Sequence, residues 1–301
     1  MAIAQYIKEI GRGRDGARPL SREQAADLFG QVLDGSVSEL EVGAFCLAMR
    51  IKGETAHEMA GFLDATHARL HRLPATRRPT IVLPSYNGAR KLPVLTPLLA
   101  LLLAREGLPV LIHGAATEST RVFTSSVLAA LGITAREGRA PIADGSVAFV
   151  PTADLCTGPQ RLLDVRRVVG LRNPAHSLVK LMAPCEGPCL LVSSYTHPEY
   201  AQSMAATIEL VGAHALLLRG TEGEPVADPR RTPRMEGFLA GRRVLLEEAH
   251  AGSLATLPEL PAGTDPASTA HYIRRVLAGQ AATPAPIARQ VALILELAGR
   301  P

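Results

Sequence analysis

Residues 20–55 read LSREQAADLFGQVLDGSVSELEVGAFCLAMRIKGET. Ser21 stands three residues before Gln24, Ser38 three before Glu41, and Thr55, the last residue quoted, three before Glu58. At that spacing a hydroxyl caps an orphan amide at a helix start, while the side chain three residues on reaches back to the capping residue. Gly35 and Gly53 stand where left-handed C-caps would end the first two of these helices. The first 72 residues therefore read as a helical unit. The helix after Ser38 carries Leu40, Val42, Phe45, Cys46 and Met49, so more than one face is apolar. That suits the centre of a bundle or a seam between two copies. His67 and His71, four apart, have the spacing of half a metal site, but no carboxylate motif accompanies them and a surface pair is expected.

Beyond Pro74 the pattern changes. Short apolar strands are expected at Ile81–Leu83, Val110–Ile112, Val147–Val150, Leu190–Val192 and Ala215–Leu218. Helices fall between them, near Val94–Ala104, near Val122–Leu131, across 159–185 with a break near Asn173-Pro174, and from about Glu199. Such alternation implies a mainly parallel sheet covered on both faces. Residues 220–234, GTEGEPVADPRRTPR, read as a loop dense in Gly, Pro and charge, and 252–265 as a second irregular stretch. Helices near Ala267–Ala278 and Ile287–Leu297 finish the chain. The fold class is thus α/β: a small N-terminal helical bundle domain and a larger domain with a mainly parallel central sheet.

With 47% hydrophobic and 20% charged residues among 301, the chain can bury a sizeable core, which excludes wholesale disorder. No apolar run reaches membrane-spanning length, and the first residues lack the apolar core of a signal peptide, so a cytoplasmic location is expected. Four scattered cysteines suggest reduced, structural thiols rather than a disulfide framework or a zinc site. Net charge is +4, and one segment accounts for it: residues 159–185 hold Arg161, Arg166, Arg167, Arg172 and Lys180 against Asp164 alone. A clustered basic face can hold a polyanion, because each neutralised phosphate releases condensed counterions. A solvated helix face accounts for the same residues.

The order of elements resembles the anthranilate phosphoribosyltransferase fold, shared with the pyrimidine nucleoside phosphorylases. AMRIKGET (48–55) is similar to that family's N-terminal signature. PVLIHG (109–114) with VLAALGIT (127–134), VRRVVGLRN (165–173) and LLLRGTEGE (216–224) are further matches. The resemblance covers roughly residues 18–250. It implies a helical domain of residues 1–75, joined in space by about 160–185, an α/β domain of residues 76–159 and 186–301, and an active site between them. The helical domain is usually the dimer interface.

That family cradles pyrophosphate with a GTGGD loop and holds magnesium with an Asp-Glu pair. The corresponding loop here is Pro84-Ser85-Tyr86-Asn87-Gly88. One glycine remains, Pro84 lacks an amide donor, and Tyr86 adds bulk where a ligand would lie. The family's KHGN reads Ile112-His113-Gly114-Ala115. In the 220–228 loop a consecutive acidic pair is absent, although Glu224 and Asp228 could together hold a cation. Ser85, Tyr86, Asn87, Gly88, His113 and Gly114 thus read as a remnant phosphate loop. Of the acceptor-pocket residues that can be placed, Arg166 alone survives.

The PSYNGARK loop (84–91), the basic segment and the GTEGEPVADPRR loop together look like the YbiB-type branch. That resemblance implies a homodimer binding single-stranded DNA or RNA with little sequence preference, and no catalytic residue, metal or cofactor. Arg90, Lys91, Arg161, Arg166, Arg167, Arg172 and Lys180 are the candidate phosphate contacts. Arg230 and Arg231, with Arg234, are candidates on a loop expected to be mobile. Arg161 cannot share one direction with Arg166 and Arg167 on a helix, so some of these side chains must point elsewhere. Arg77 and Arg78 are rim contacts or a polar linker. Aromatics are only 4%, so stacking on Tyr86, Tyr195 or Tyr200 would be a minor contribution. Two alternatives stay open: a phosphoribosyltransferase of altered substrate, which would need magnesium, and a structural or regulatory partner of another protein.

Overall fold

All three capping boxes form. The side chains of Ser21, Ser38 and Thr55 accept from the amides of Gln24, Glu41 and Glu58, and each partner side chain returns to the cap amide. They open α2 (Arg22–Asp34), α3 (Glu39–Lys52) and α4 (Ala56–His67), which follow a short α1 (Ala4–Ile10). The structure is a computed structural model that describes residues 3–13, 15–138 and 140–299. Gly35 closes α2 in the left-handed conformation, as expected, whereas Gly53 combines φ 79° with an extended ψ of 156°, so the chain leaves α3 stretched. Phe29 stacks on Phe62 at 4.6 Å and Phe45 meets both edge-on at 6.0 Å, all three fully buried. Only one face of α3 is inside: Leu40, Leu47 and Ile51 are exposed. This helix is therefore not at the bundle centre. His67 is no surface residue either. It is largely buried and its Nε2 accepts from the amide of Ala183, while the His71 ring contacts the carbonyl of Asp154.

The α/β part contains β1 (Thr80–Ser85), α5 (Thr96–Arg105), β2 (Val110–Gly114), α6 (Thr124–Ala130), β3 (Val147–Pro151), α7 (Thr152–Leu155), α8 (Thr157–Val169), α9 (Ala175–Leu178), β4 (Cys189–Tyr195), α10 (Pro198–Val211), β5 (Ala215–Arg219), β6 (Met235–Leu239), β7 (Arg242–Glu247), α11 (Pro266–Leu277) and α12 (Ala285–Ala298). The strands form one sheet in the order β3-β2-β1-β4-β5-β6-β7. The first five are parallel, with Ile81 beside Val110 and Leu190. β6 and β7 extend the sheet as an antiparallel hairpin, which the sequence reading missed.

Alternation along the strands builds two cores. Val82, Leu111, Leu191 and Phe238 face the same core as the helical domain, α8, α9 and α10. Ile81, Leu83, Ile112, Val192 and Leu216 face α5, α6, α11 and α12. α8 packs on α2, and α9 and α10 on α4, so the basic segment lies against the helical bundle. The four cysteines are free thiols. Among the described residues no helix is long and apolar enough to cross a membrane.

Candidate functional site

In a parallel sheet the natural ligand crevice lies beyond the C-terminal strand ends, where the strand order reverses. Here β1 and β4 mark that reversal. Beyond them the 84–92 loop and the 220–224 loop meet. The Glu224 carboxylate, 1% exposed, accepts from the amides of Asn87 and Gly88, both at 2.8 Å, and from the hydroxyls of Ser85, Thr96 and Thr124. Gly88 takes φ 60°, which aims its amide into this bowl. The Glu222 carboxylate accepts from the amides of Arg90, Lys91 and Leu92 at 2.8–3.2 Å. Two carboxylates of the chain thus occupy five amides of the 84–92 loop.

Tyr86 does not lie in the ligand space. Its ring is buried beneath the loop, with the hydroxyl on His113 Nδ1 at 2.7 Å and Thr152 at 2.8 Å. Burial pushes the phenol up and the His113 imidazole down to about 3, so both are neutral. Gly114 ends β2 against the Ser85 carbonyl, where a Cβ would clash. Asn87 also donates through its side chain to the carbonyl of Glu222.

A cavity of about 300 Å³ lies between the helical and α/β parts. Glu54, Arg172, His176, Lys180, Ser194 and Tyr200 line it. Lys180 is buried, donating to the carbonyls of Gly223 at 2.8 Å and Ser194 at 3.3 Å, so it belongs to the cavity floor and not to a surface track. Burial lowers its ammonium to about 8, against the opposing pull of Glu224. Burial and Arg172 lower His176 to about 4. Burial pushes the Glu54 carboxyl up.

The basic segment divides. Arg166 reaches Glu118 at 3.3 Å, as does Arg121, a residue the sequence reading did not single out. Arg172 stands at the cavity mouth, its guanidinium without a hydrogen bond or ion pair among the described residues. Burial, then the charges of Arg166 and Arg121, hold it below its ordinary range. Buried Nη1 of Arg166 has no partner. Arg121 and Arg166 thus share Glu118, and Arg172 adds a third guanidinium close to both. Arg167 is exposed beside Asp164. Arg161 turns away, into a groove with Val42, Val165 and Val168 between α3 and α8.

Arg90 and Lys91 are exposed on the rim. Arg230 and Arg231 both pair with Asp228, and Arg234 with Glu236 and Glu248, so this loop is tied by its own acids. Burial raises the Asp228 carboxyl, but hydrogen bonds from Arg230 and the Arg231 charge leave it below its usual value. Asp228 is thus engaged elsewhere, and Glu224 is saturated by the 85–88 segment with Thr96 and Thr124. The pair does not converge on a cation, and no cluster of three acidic, His or Cys ligands occurs among the described residues. The residues present do not fit the magnesium that the family resemblance implies.

Comparison with known proteins gives a consistent picture. Residues 4–69 match the glycosyl transferase family helical bundle domain. YbiB of Escherichia coli (strain K12), itself uncharacterised, is 40% identical, over 99% of this chain and 95% of its own length. An anthranilate phosphoribosyltransferase of Salinispora arenicola is 30% identical, over 92% of this chain and 80% of its own. The crystal structure of anthranilate phosphoribosyltransferase from Thermus thermophilus superimposes with a TM-score of 0.74 at 24% identity, covering 97% of this chain and 87% of that one.

Proposed function

Because the chain belongs to the anthranilate phosphoribosyltransferase-like glycosyltransferase family, in its YbiB branch, we propose that it uses the inherited interdomain cleft to bind a phosphate polyanion, single-stranded DNA or RNA, without sequence preference. One observation carries the reading: Arg121 and Arg166 share Glu118, Arg172 stands near both without an ion pair of its own, and Arg166 keeps a buried, unpartnered N–H. Mutual repulsion and an unmet donor are both relieved by an anion. Arg90, Lys91 and Arg167, exposed around the rim, extend the positive field. Lys180 sits too deep to meet a nucleic-acid backbone, and Arg161 faces another groove.

Leu40, Ile51, Val168 and Leu171 are exposed on α3, α8 and the turn after it. An apolar face of this kind suits pairing with a second copy, which would double the cleft.

The test is fluorescence anisotropy of a labelled mixed-sequence single strand across a salt series. Binding whose log–log salt slope is near −3, about four phosphate contacts at ~0.7 each, supports the reading. Affinity unchanged in an Arg166→Glu/Arg172→Glu double variant overturns it.

The relatives and the ordered Glu224 network favour a second reading, a retained phosphoribosyltransferase site of altered substrate. The polar cavity between the two parts is large enough for a small acceptor. Calorimetric titration with phosphoribosyl pyrophosphate and magnesium separates the two: saturable heat supports the transferase, and a flat titration removes it.

A further inference from the structure

The amides of Arg90, Lys91 and Leu92 are three successive donors converging on one point, and Glu222 fills that point. A concave run of amides is a receptor for any compact oxyanion. In this chain the oxyanion is covalently attached. Glu222 reaches the nest from a non-glycine left-handed conformation, φ 50°. The following residue is pinned from beneath, because Gly223 offers its carbonyl to Lys180 and to the Ser194 hydroxyl at 2.8 Å. Asn87 holds the Glu222 carbonyl at 3.1 Å. Arg121 approaches the same carboxylate at 4.0 Å. The carboxylate has an amide nest on one side, a cation on the other, and its backbone fixed on both flanks.

We infer that Glu222 is a tethered competitor: its carboxylate closes a working anion nest, and the nest takes a phosphate or diphosphate group when that carboxylate is removed or displaced. Glu224 plays a different part. It is buried and holds Ser85, Asn87, Gly88, Thr96 and Thr124 together, which keeps the loop in its nest shape. Glu222 lies at the edge, its side chain 18% exposed, where solvent and a ligand can reach it. The closure is therefore a property of one replaceable side chain, and the receptor beneath it is intact. This inference stands independently of whether the cleft holds a nucleic acid or an acceptor molecule.

The experiment uses the full chain and inorganic pyrophosphate as probe, without magnesium. Wild type, Glu222→Ala, Glu222→Gln and the remote control Glu259→Ala are titrated calorimetrically, with amide hydrogen exchange read at Arg90–Leu92. In wild type these amides exchange slowly and pyrophosphate binds weakly. In Glu222→Ala they exchange faster, pyrophosphate restores their protection, and affinity rises at least about tenfold. Glu222→Gln, which keeps the shape and loses the charge, gives a smaller gain in the same direction. It decides the matter if the alanine variant fails to fold. Equal affinity in wild type and the folded Glu222 variants overturns the inference. So does an equal gain in Glu259→Ala, whose exposed side chain lies beside Arg275 and away from the nest.

Discussion

Lys180 donates to the carbonyl of Gly223 at 2.8 Å, a bond joining the α9 end of the basic segment to the loop that carries both cleft carboxylates. Charge counting along the chain treats this lysine as one more surface cation, yet it is a buried brace.

The brace has a pH signature. Burial holds Lys180 near 8 against an ordinary value of 10.5. Between those values the unfolded chain still carries a proton that the native state has released. Stability therefore rises with pH from about 8 to 10.5, and that gain is lost as pH falls through 8. Urea midpoints measured over this window should climb in wild type and stay flatter in Lys180→Met. A wild-type slope no steeper than the variant's would show that the lysine is not desolvated.

On the acid side three histidines act together. His113 is lowered to about 3 and His67 and His176 to about 4, by burial first, from an ordinary 6.5. As pH falls below 6.5 the unfolded chain takes up protons that the native state refuses, so stability is lost at roughly 1.4 kcal/mol per pH unit for each histidine. Replacing His113 with Gln should remove about one proton from this uptake, measured as the slope of unfolding free energy between pH 6 and 4, a window that follows from the same linkage.

The crowded arginines predict opposite effects on stability and binding. Arg172→Ala relieves repulsion from Arg166 and Arg121 and should leave thermal stability unchanged or higher. It should also lower the salt slope of nucleic-acid binding by about 0.7. A slope that does not move would mean that Arg172 touches no phosphate.

The aromatic trio sets the bundle's stability. Phe62→Ala empties the position on which Phe29 stacks and Phe45 abuts, and should cost about 3–5 kcal/mol in chemical denaturation.

The exposed apolar face carries the pairing proposal. Leu40, 83% exposed, and Val168, 89% exposed, cover nothing in a single copy. A Leu40→Glu/Val168→Glu variant should sediment as a monomer while melting as a folded protein, and wild type should sediment as a dimer. A wild-type monomer at micromolar concentration would remove the proposal.

Local rules made most of the architecture legible. The Ser21, Ser38 and Thr55 caps and the short apolar strands need only nearby residues, and they formed where the spacing placed them. The β6–β7 hairpin was missed because its turn is Ala240-Gly241, with Ala240 at φ 48° and Gly241 at 76°. An alanine in the left-handed region gives none of the Asn-Gly or Asp-Gly signal that marks such turns. The cleft was legible as a place and not as a geometry. Glu222 lies more than a hundred positions from the amides it fills, and no spacing rule spans that distance. The depth of Lys180 and the outward turn of Arg161 depend on how α8 and α9 lie against the bundle, which charge counting does not contain.

The outermost strand, β7, leaves one edge of the sheet open to solvent, with Val244 and Leu245 exposed along it. Such an edge is a template for adding foreign strands. Arg242 and Arg243 precede the apolar pair, Glu247 and Glu248 follow it, and Arg243 is clamped across the hairpin by Glu236 at 2.9 Å. These charges act as gatekeepers. Neutralising them would leave the sheet its backbone hydrogen bonds and turn a charged rim into a seed for fibrillar stacking.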